Sequence, residues 1–128
     1  MKLLLDTHLL LWAAGRPERL SGVAHDLLVS PAHELLFSAA SVWEIALKNT
    51  LGRRDFRVDP SALCLGLIGS GYVELPVTAR HCVATAQLPP LHQDPFDRLL
   101  VAQAIVENVT LLTADPWVAR YPGPIRSV

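Results

Sequence analysis

Short apolar runs that each stop at a polar or helix-breaking residue punctuate this chain, and they restrict its fold more than any other feature. Leu3 to Leu5 stop at Asp6, Leu35 to Phe37 at Ser38, Tyr72 to Leu75 at Pro76, and Thr110 to Thr113 shortly before Asp115. Runs of this kind suit strands buried on both faces, and the apolar stretch that begins at Leu9 shares their character. Helical spacing lies between them. Val23, Ala24, Leu27 and Leu28 share one face of a segment from Ser21 to Ser30, which Pro31 closes. Ser38-Ala39-Ala40-Ser41 leads into a capped helix that stops near Gly52, and residues 53–60 read as a polar loop. Ser61 to Ile68 form a helix that ends at Gly69-Ser70-Gly71. Thr78 caps another through Ala86, closed by Leu88-Pro89-Pro90. Asp94-Pro95 starts a helix to about Glu107, and Asp115-Pro116 starts a last short one. Strands alternating with helices predict an α/β fold around a mostly parallel central sheet. No repeat or linker interrupts it, so residues 1–128 are expected to form a single domain.

Composition narrows the function. Hydrophobic residues make up 51% and charged residues 18%, which excludes a disordered chain. Eleven Lys and Arg against twelve Asp and Glu leave a net charge of −1, whereas a dedicated nucleic-acid-binding module is visibly basic. A polyanionic substrate would therefore need a local basic patch or a bound cation. Cys64 and Cys82 lack metal-ligand spacing and read as reduced core residues of a cytoplasmic protein. No apolar run reaches the roughly 18 residues of a membrane span. Asp6 and His8 interrupt the apolar start that would otherwise imitate a secretory leader.

The acids carry the chemistry. Ligands of open parallel sheets bind beyond the carboxyl ends of the strands. Asp6 follows the first strand there, and Asp115 follows the fourth. Glu44 and Asp97 lie in the first turns of helices whose starts would face the same edge. Each has an ordinary role open to it. Asp115 and Asp94 precede prolines as helix caps, Asp97 complements a helix dipole, and Asp6 caps a turn. Ser41-x-x-Glu44 has the form of a capping box, and Glu44 pairs with Lys48 at i,i+4. Together the four are harder to explain that way. Two carboxylates ~4 Å apart repel by about 4 kcal/mol at an effective dielectric near 20, so a cluster stays protonated or holds a cation. Oxygen-rich sites of this type suit Mg²⁺, with Mn²⁺ as a substitute.

Four segments carry a family resemblance. Leu4-Leu5-Asp6-Thr7-His8-Leu9-Leu10-Leu11-Trp12 is similar to the opening of PIN-domain nucleases, in particular VapC-like toxins of type II toxin–antitoxin pairs. Ser38-Ala39-Ala40-Ser41-Val42-Trp43-Glu44-Ile45 resembles their second motif. His92-Gln93-Asp94-Pro95-Phe96-Asp97-Arg98 and the helix after it resemble the third, and Leu111-Leu112-Thr113-Ala114-Asp115 the fourth. The resemblance implies a three-layer α/β/α fold and a Mg²⁺-dependent endoribonuclease that hydrolyses RNA with metal-activated water. Asp6, Glu44, Asp97 and Asp115 would be its metal ligands and catalytic residues, with Asp6 and Asp97 the firmest. It also implies a cognate antitoxin protein and a homodimer, with no membrane partner. Gly52-Arg53-Arg54-Asp55 departs from the Gly-Lys-Leu common in relatives, which bears on substrate or partner contacts near that loop.

Lesser signals keep two readings. Thr7 and Thr113 either hydrogen-bond the acids or end a strand, and Ser38 and Ser41 read first as caps. Arg98 would touch phosphate, pair with Asp94 or face solvent. Lys48, Arg53, Arg54 and Arg57 form the dense basic cluster, a phosphate contact or a solvated loop. His92 is read as a turn residue near the site and not as a ligand. Trp12, Trp43 and Trp117 are expected in the core or at an interface. A phospho-acceptor receiver domain would need adjacent acids after the first strand and a late lysine. This chain has Asp6-Thr7 and only Lys2 and Lys48. A phosphatase with an aspartyl nucleophile would need Asp-x-Asp, which Asp6-Thr7-His8 lacks. A non-catalytic PIN-like binding module stays open; it has no need of all four acids.

Overall fold

Leu3, Leu4 and Leu5, all fully buried, form the middle of the computed structural model, which describes residues 1–128. They belong to strand β1 (Lys2–Leu5), which pairs in parallel with β2 (Glu34–Ser38) on one side and β4 (Thr110–Thr113) on the other. β3 (Val73–Leu75) and β5 (Ile125–Ser127) complete the parallel sheet in the order β3-β2-β1-β4-β5. Period-two geometry sorts the leucines between two cores. Leu3 and Leu5 join Phe37 and Leu112 under helices α1 (Thr7–Gly15), α3 (Ala39–Thr50) and α4 (Pro60–Gly69). Leu4 joins Leu36 and Leu111 under α6 (Pro95–Glu107). α2 (Gly22–Val29) packs at the margin of the first core, and α5 (Ala79–Thr85) lies against α6. The result is three layers, α/β/α, as expected.

Several local expectations change. The stretch from Leu9 is helix α1, because the Asp6 side chain caps it by accepting from the Leu9 N–H. An apolar run alone does not separate a buried helix from a buried strand. Helix α3 starts at Ser38, whose hydroxyl accepts from the Ala40 N–H, so Ser41 lies inside the helix and the Ser41/Glu44 capping box does not form. Asp115-Pro116 opens only a turn, followed by a single 3₁₀ turn over Val118–Arg120. A fifth strand, too short to show a period, follows it. Cys64 and Cys82 are both free thiols; Cys64 is half-buried and packs against the first core, whereas Cys82 is exposed. Trp43 and Trp117 are exposed as well.

The loop after α3 carries the least expected core residue. Its 3₁₀ turn, Arg54–Phe56, buries the Phe56 ring completely against α1, α3 and α4. One aromatic among four charged neighbours gives no periodic signal. Phe56→Ala is expected to cost about 3–5 kcal/mol by loss of burial and creation of a cavity. Urea unfolding followed by circular dichroism measures it, and a change below about 1 kcal/mol would mean the loop is not part of the core.

Candidate metal centre

All four acids lie at the carboxyl edge of the sheet, each placed by a different local device. Asp6 ends β1 and is only 5% exposed. Its Oδ1 accepts from the Leu9 N–H at 2.9 Å, and its Oδ2 accepts from the Thr113 hydroxyl at 2.5 Å. The Thr113 oxygen in turn accepts from the Asp115 N–H at 3.0 Å, tying the end of β4 to the end of β1. Asp115 uses its Oδ1 to accept from the Trp117 N–H at 2.8 Å, so its turn-capping role is present in the structure.

Glu44 reaches the same edge from α3. The Ser38 hydroxyl donates to Gln103 Oε1 at 2.6 Å, which fastens the start of α3 to α6. Thr7 donates to the Ser41 hydroxyl at 3.0 Å, which fastens it to α1. Ser41 and Glu44 are three residues apart and share a helix face. Glu44 is thereby buried, 2% exposed, with Oε2 held by the Lys48 ammonium at 2.5 Å. Its Oε1 is buried with no hydrogen-bond partner.

Asp97 sits in the first turn of α6. Asp94 caps that helix, its Oδ1 accepting from the Phe96 and Asp97 N–H groups, and Pro95 fills the first helical position. The Asp97 Oδ2 lies 2.8 Å from His92 Nε2. Edge-to-face contact between Trp43 and Phe96, 5.0 Å between ring centres, brings the starts of α3 and α6 together.

Electrostatics links the acids. Burial pushes the Asp97 carboxyl up to about 6, and the charges of Asp94, Glu44 and Asp6 add to this against the opposing contact with His92. Asp6 is raised too, by burial first and by Asp115 in smaller measure, while its hydrogen bonds to Thr113 and Leu9 and the charge of His8 oppose the rise. Asp97 thus feels the charge of Glu44 and Asp6, and Asp6 that of Asp115. Their oxygens are not one tight cage. The donors that come within 4.8 Å of one another are His92, Asp94 and Asp97. His92 is the contributor that sequence reasoning set aside; its spacing of five from Asp97 matches no helix or strand period, because a loop brings it round. Arg98 does not pair with Asp94. Its guanidinium donates to the carbonyls of Thr85, Leu88 and Pro89 and to the Tyr121 hydroxyl. Thr7 contacts Ser41, not an acid, whereas Thr113 contacts Asp6 directly.

These residues suit a divalent cation. A buried carboxylate oxygen without a donor is costly, and a hard cation satisfies it without needing a proton. Glu44 Oε1 is such an atom, and the charge of Glu44 acts on Asp97, which burial already holds above its ordinary range.

The sequence profile of the PIN domain matches residues 3–124. The chain belongs to the PIN-domain family. A relative of this PIN domain is Ribonuclease VapC22 of Mycobacterium tuberculosis (strain ATCC 25618 / H37Rv), 30% identical over 125 residues and covering 95% of each chain. Among solved structures, VapBC2 from Rickettsia felis bound to a DNA fragment from its promoter superposes with a TM-score of 0.73 at 17% identity, covering 100% of this chain and 99% of that one. DNA-bound VapBC from Salmonella typhimurium gives 0.69 at 16% identity, covering 99% and 98%. PIN-domain ribonucleases use divalent metal, and this PIN domain has an acidic cluster that fits one.

The raised carboxyl of Asp97 has a consequence for stability in the absence of metal. Its folded-state value of about 6 lies above the ordinary 3.8, so the folded protein binds the proton more tightly than the unfolded chain. Stability from this group is therefore complete below about pH 4 and is lost as pH rises through about 6. Asp97→Asn keeps the shape without the charge. In EDTA at pH 8 it is expected to melt several degrees above wild type, corresponding to about 3 kcal/mol at most. The gap should close as pH falls towards 4. A gap that is absent at pH 8, or unchanged between the two values, would contradict the assigned environment.

Proposed function

We propose that this PIN domain is a Mg²⁺-dependent endoribonuclease, with Mn²⁺ able to replace Mg²⁺, and acts as the toxin of a type II toxin–antitoxin pair. The observation that carries the reading is the buried, unpartnered Glu44 Oε1, on a side chain whose charge helps to raise the Asp97 carboxyl. Asp6, Glu44, Asp97 and Asp115 are the proposed metal-binding and catalytic residues. When bound, a divalent cation supplies positive charge for phosphate and lowers the pKa of water towards neutrality. The protein's own residues set the geometry. Thr113 orients Asp6, Lys48 holds one oxygen of Glu44 and leaves the other free, and His92 fixes Asp97. Such supporting contacts decide whether the ligands already point the right way.

The partner readings rest on surface chemistry. Trp43, Leu47 and Leu51 form an exposed apolar stripe along α3, which supports a homodimer with the acid centre near its interface. A second apolar groove of about 450 Å³ between α1 and α4, lined by Leu11, Ala13, Ala14, Leu63, Leu67 and Tyr72, supports docking of an antitoxin segment. VapBC complexes are the assemblies named for the structural relatives. A basic side chain of the antitoxin would fit the acid centre through a charge-assisted contact. Two free cysteines and the absence of any helix long and apolar enough to cross a membrane accord with action on RNA in the cytoplasm.

Purified protein should cleave RNA with Mg²⁺ or Mn²⁺ and lose cleavage in EDTA. Asp6→Asn should fold normally by circular dichroism and lose activity by about 10²-fold or more. Equal cleavage with and without metal would overturn the mechanism.

Expression of this chain alone should arrest growth. Co-expression of the small reading frame beside it should relieve the arrest, and Asp6→Asn should abolish it without any antitoxin. Harmless expression of folded, metal-loaded wild type would instead favour a non-catalytic PIN-like module.

A further inference from the structure

A groove of about 820 Å³ opens beside the acid centre and takes no part in holding the proposed metal. One wall is the exposed face of α1, where His8, Trp12 and Arg16 follow one another at i,i+4 with Arg19 just beyond. His8, whose charge acts on Asp6, stands at one end of the groove, which runs from it roughly 12 Å along the helix. The other wall is the loop after α3, with Arg54, Asp55 and Arg57, which the buried Phe56 ring anchors.

The charge of this groove is unlike that of the rest of the molecule. Four arginines from segments far apart in the chain meet around it, in a protein whose net charge is −1. Arg16, Arg19, Arg54 and Arg57 are all exposed and none forms an ion pair. The single acid there, Asp55, lies 3.7 Å from His8 and 3.9 Å from Arg53. Guanidinium groups match phosphate oxygens two at a time, and a half-buried indole offers a face for base stacking. An acidic centre without its cation repels a polyanion, and a basic surface such as this one supplies attraction beside it. The neighbouring groove between α1 and α4 is apolar and suits a protein segment; the arginine groove does not share that chemistry.

We propose that this groove is the track for single-stranded RNA entering the acid centre, with Arg16, Arg19, Arg54 and Arg57 holding phosphates and Trp12 stacking on a base. The inference rests on the ribonuclease reading for its direction but is tested by binding, separately from cleavage. A fluorescein-labelled single-stranded RNA is titrated with wild-type protein in EDTA at rising KCl, and anisotropy gives the affinity and its salt slope. Replacing all four arginines with Gln should weaken binding about tenfold or more. It should lower the salt slope by about 3, at about 0.7 for each phosphate no longer neutralised, with the melting temperature unchanged. Arg54→Gln with Arg57→Gln alone should lower it by about half as much, which covers the case of a misfolded fourfold variant.

Unchanged affinity and slope, or no binding by wild type, would overturn the track. Cleavage by wild type in Mn²⁺ alongside that result would leave the nuclease reading standing. Loss of binding and slope in the variants of a wild type that never cleaves RNA would support the track and reject the nuclease. Poly-glutamate serves as a second ligand. Binding of it that depends on the arginines, while RNA affinity and slope do not, would mark the groove as a dock for an acidic protein segment and overturn the proposal.

Discussion

Strand β1 ends where the Asp6 N–H donates to the Leu112 carbonyl at 3.0 Å, while the Asp6 carboxylate accepts from the Leu9 N–H and the Thr113 hydroxyl. The same residue therefore closes the central ladder, caps α1 and joins β4. Its carbonyl also accepts from the Leu10 N–H, the first bond of the helix. A neutral side chain of the same shape could keep some of these contacts, but the carboxylate takes two donors at once and turns the chain from strand to helix in a single residue. Burial opposes that charge, and the two hydrogen bonds only partly offset it. The sheet is thus built around a carboxyl whose charged form is disfavoured, at the edge where parallel sheets place their ligands.

The same trade recurs around it. Glu44 is brought into the interior by Ser38–Gln103 and Thr7–Ser41, two hydroxyl contacts that clamp α3 to α6 and α1. Lys48 compensates only one of its oxygens. Asp97 stands where the α6 dipole favours an anion, yet burial and its acidic neighbours still raise it. Packing holds Asp6 and Asp97 in place although burial disfavours their charge. The apolar leucines on both faces of β1, each contributing roughly 1.5–3 kcal/mol by burial, supply the counterweight.

Much of this was legible from residues alone, and the losses have physical causes. Strand β1 and its acid, the Asp94-Pro95 start of α6 and the Thr78 cap of α5 all appear as expected, because each combines a breaker or cap with a short apolar run. The Glu44–Lys48 pair is present at its helical spacing. The stretch from Leu9 was ambiguous because a helix buried on most sides loses its polar stripe. Ser41 looked like a cap since Ser38, which wins, offers the same hydroxyl three residues earlier. Phe56 and β5 gave no signal: one is a lone aromatic in a charged loop, the other three residues after Pro-Gly-Pro. Convergence of Arg16 and Arg19 with Arg54 and Arg57 is tertiary, and linear spacing carries no trace of it.

His92 shows how the non-local part of the centre is built. It lies on the irregular segment between α5 and α6, where side chains have no regular ladder to fix them. Arg98 supplies the order by donating to two carbonyls on that segment, to that of Thr85 at the end of α5 and to the Tyr121 hydroxyl. Tyr121 passes the constraint on, its hydroxyl donating to the His92 carbonyl at 3.1 Å. The ring is then held from the other side by Asp97 and stacks over Trp117 with 6.5 Å between centres. A cation one residue from Asp97 in sequence is in this way turned away from the acids and committed to backbone carbonyls. Had Arg98 faced the carboxylates instead, it would have neutralised the charge that the rest of the edge concentrates.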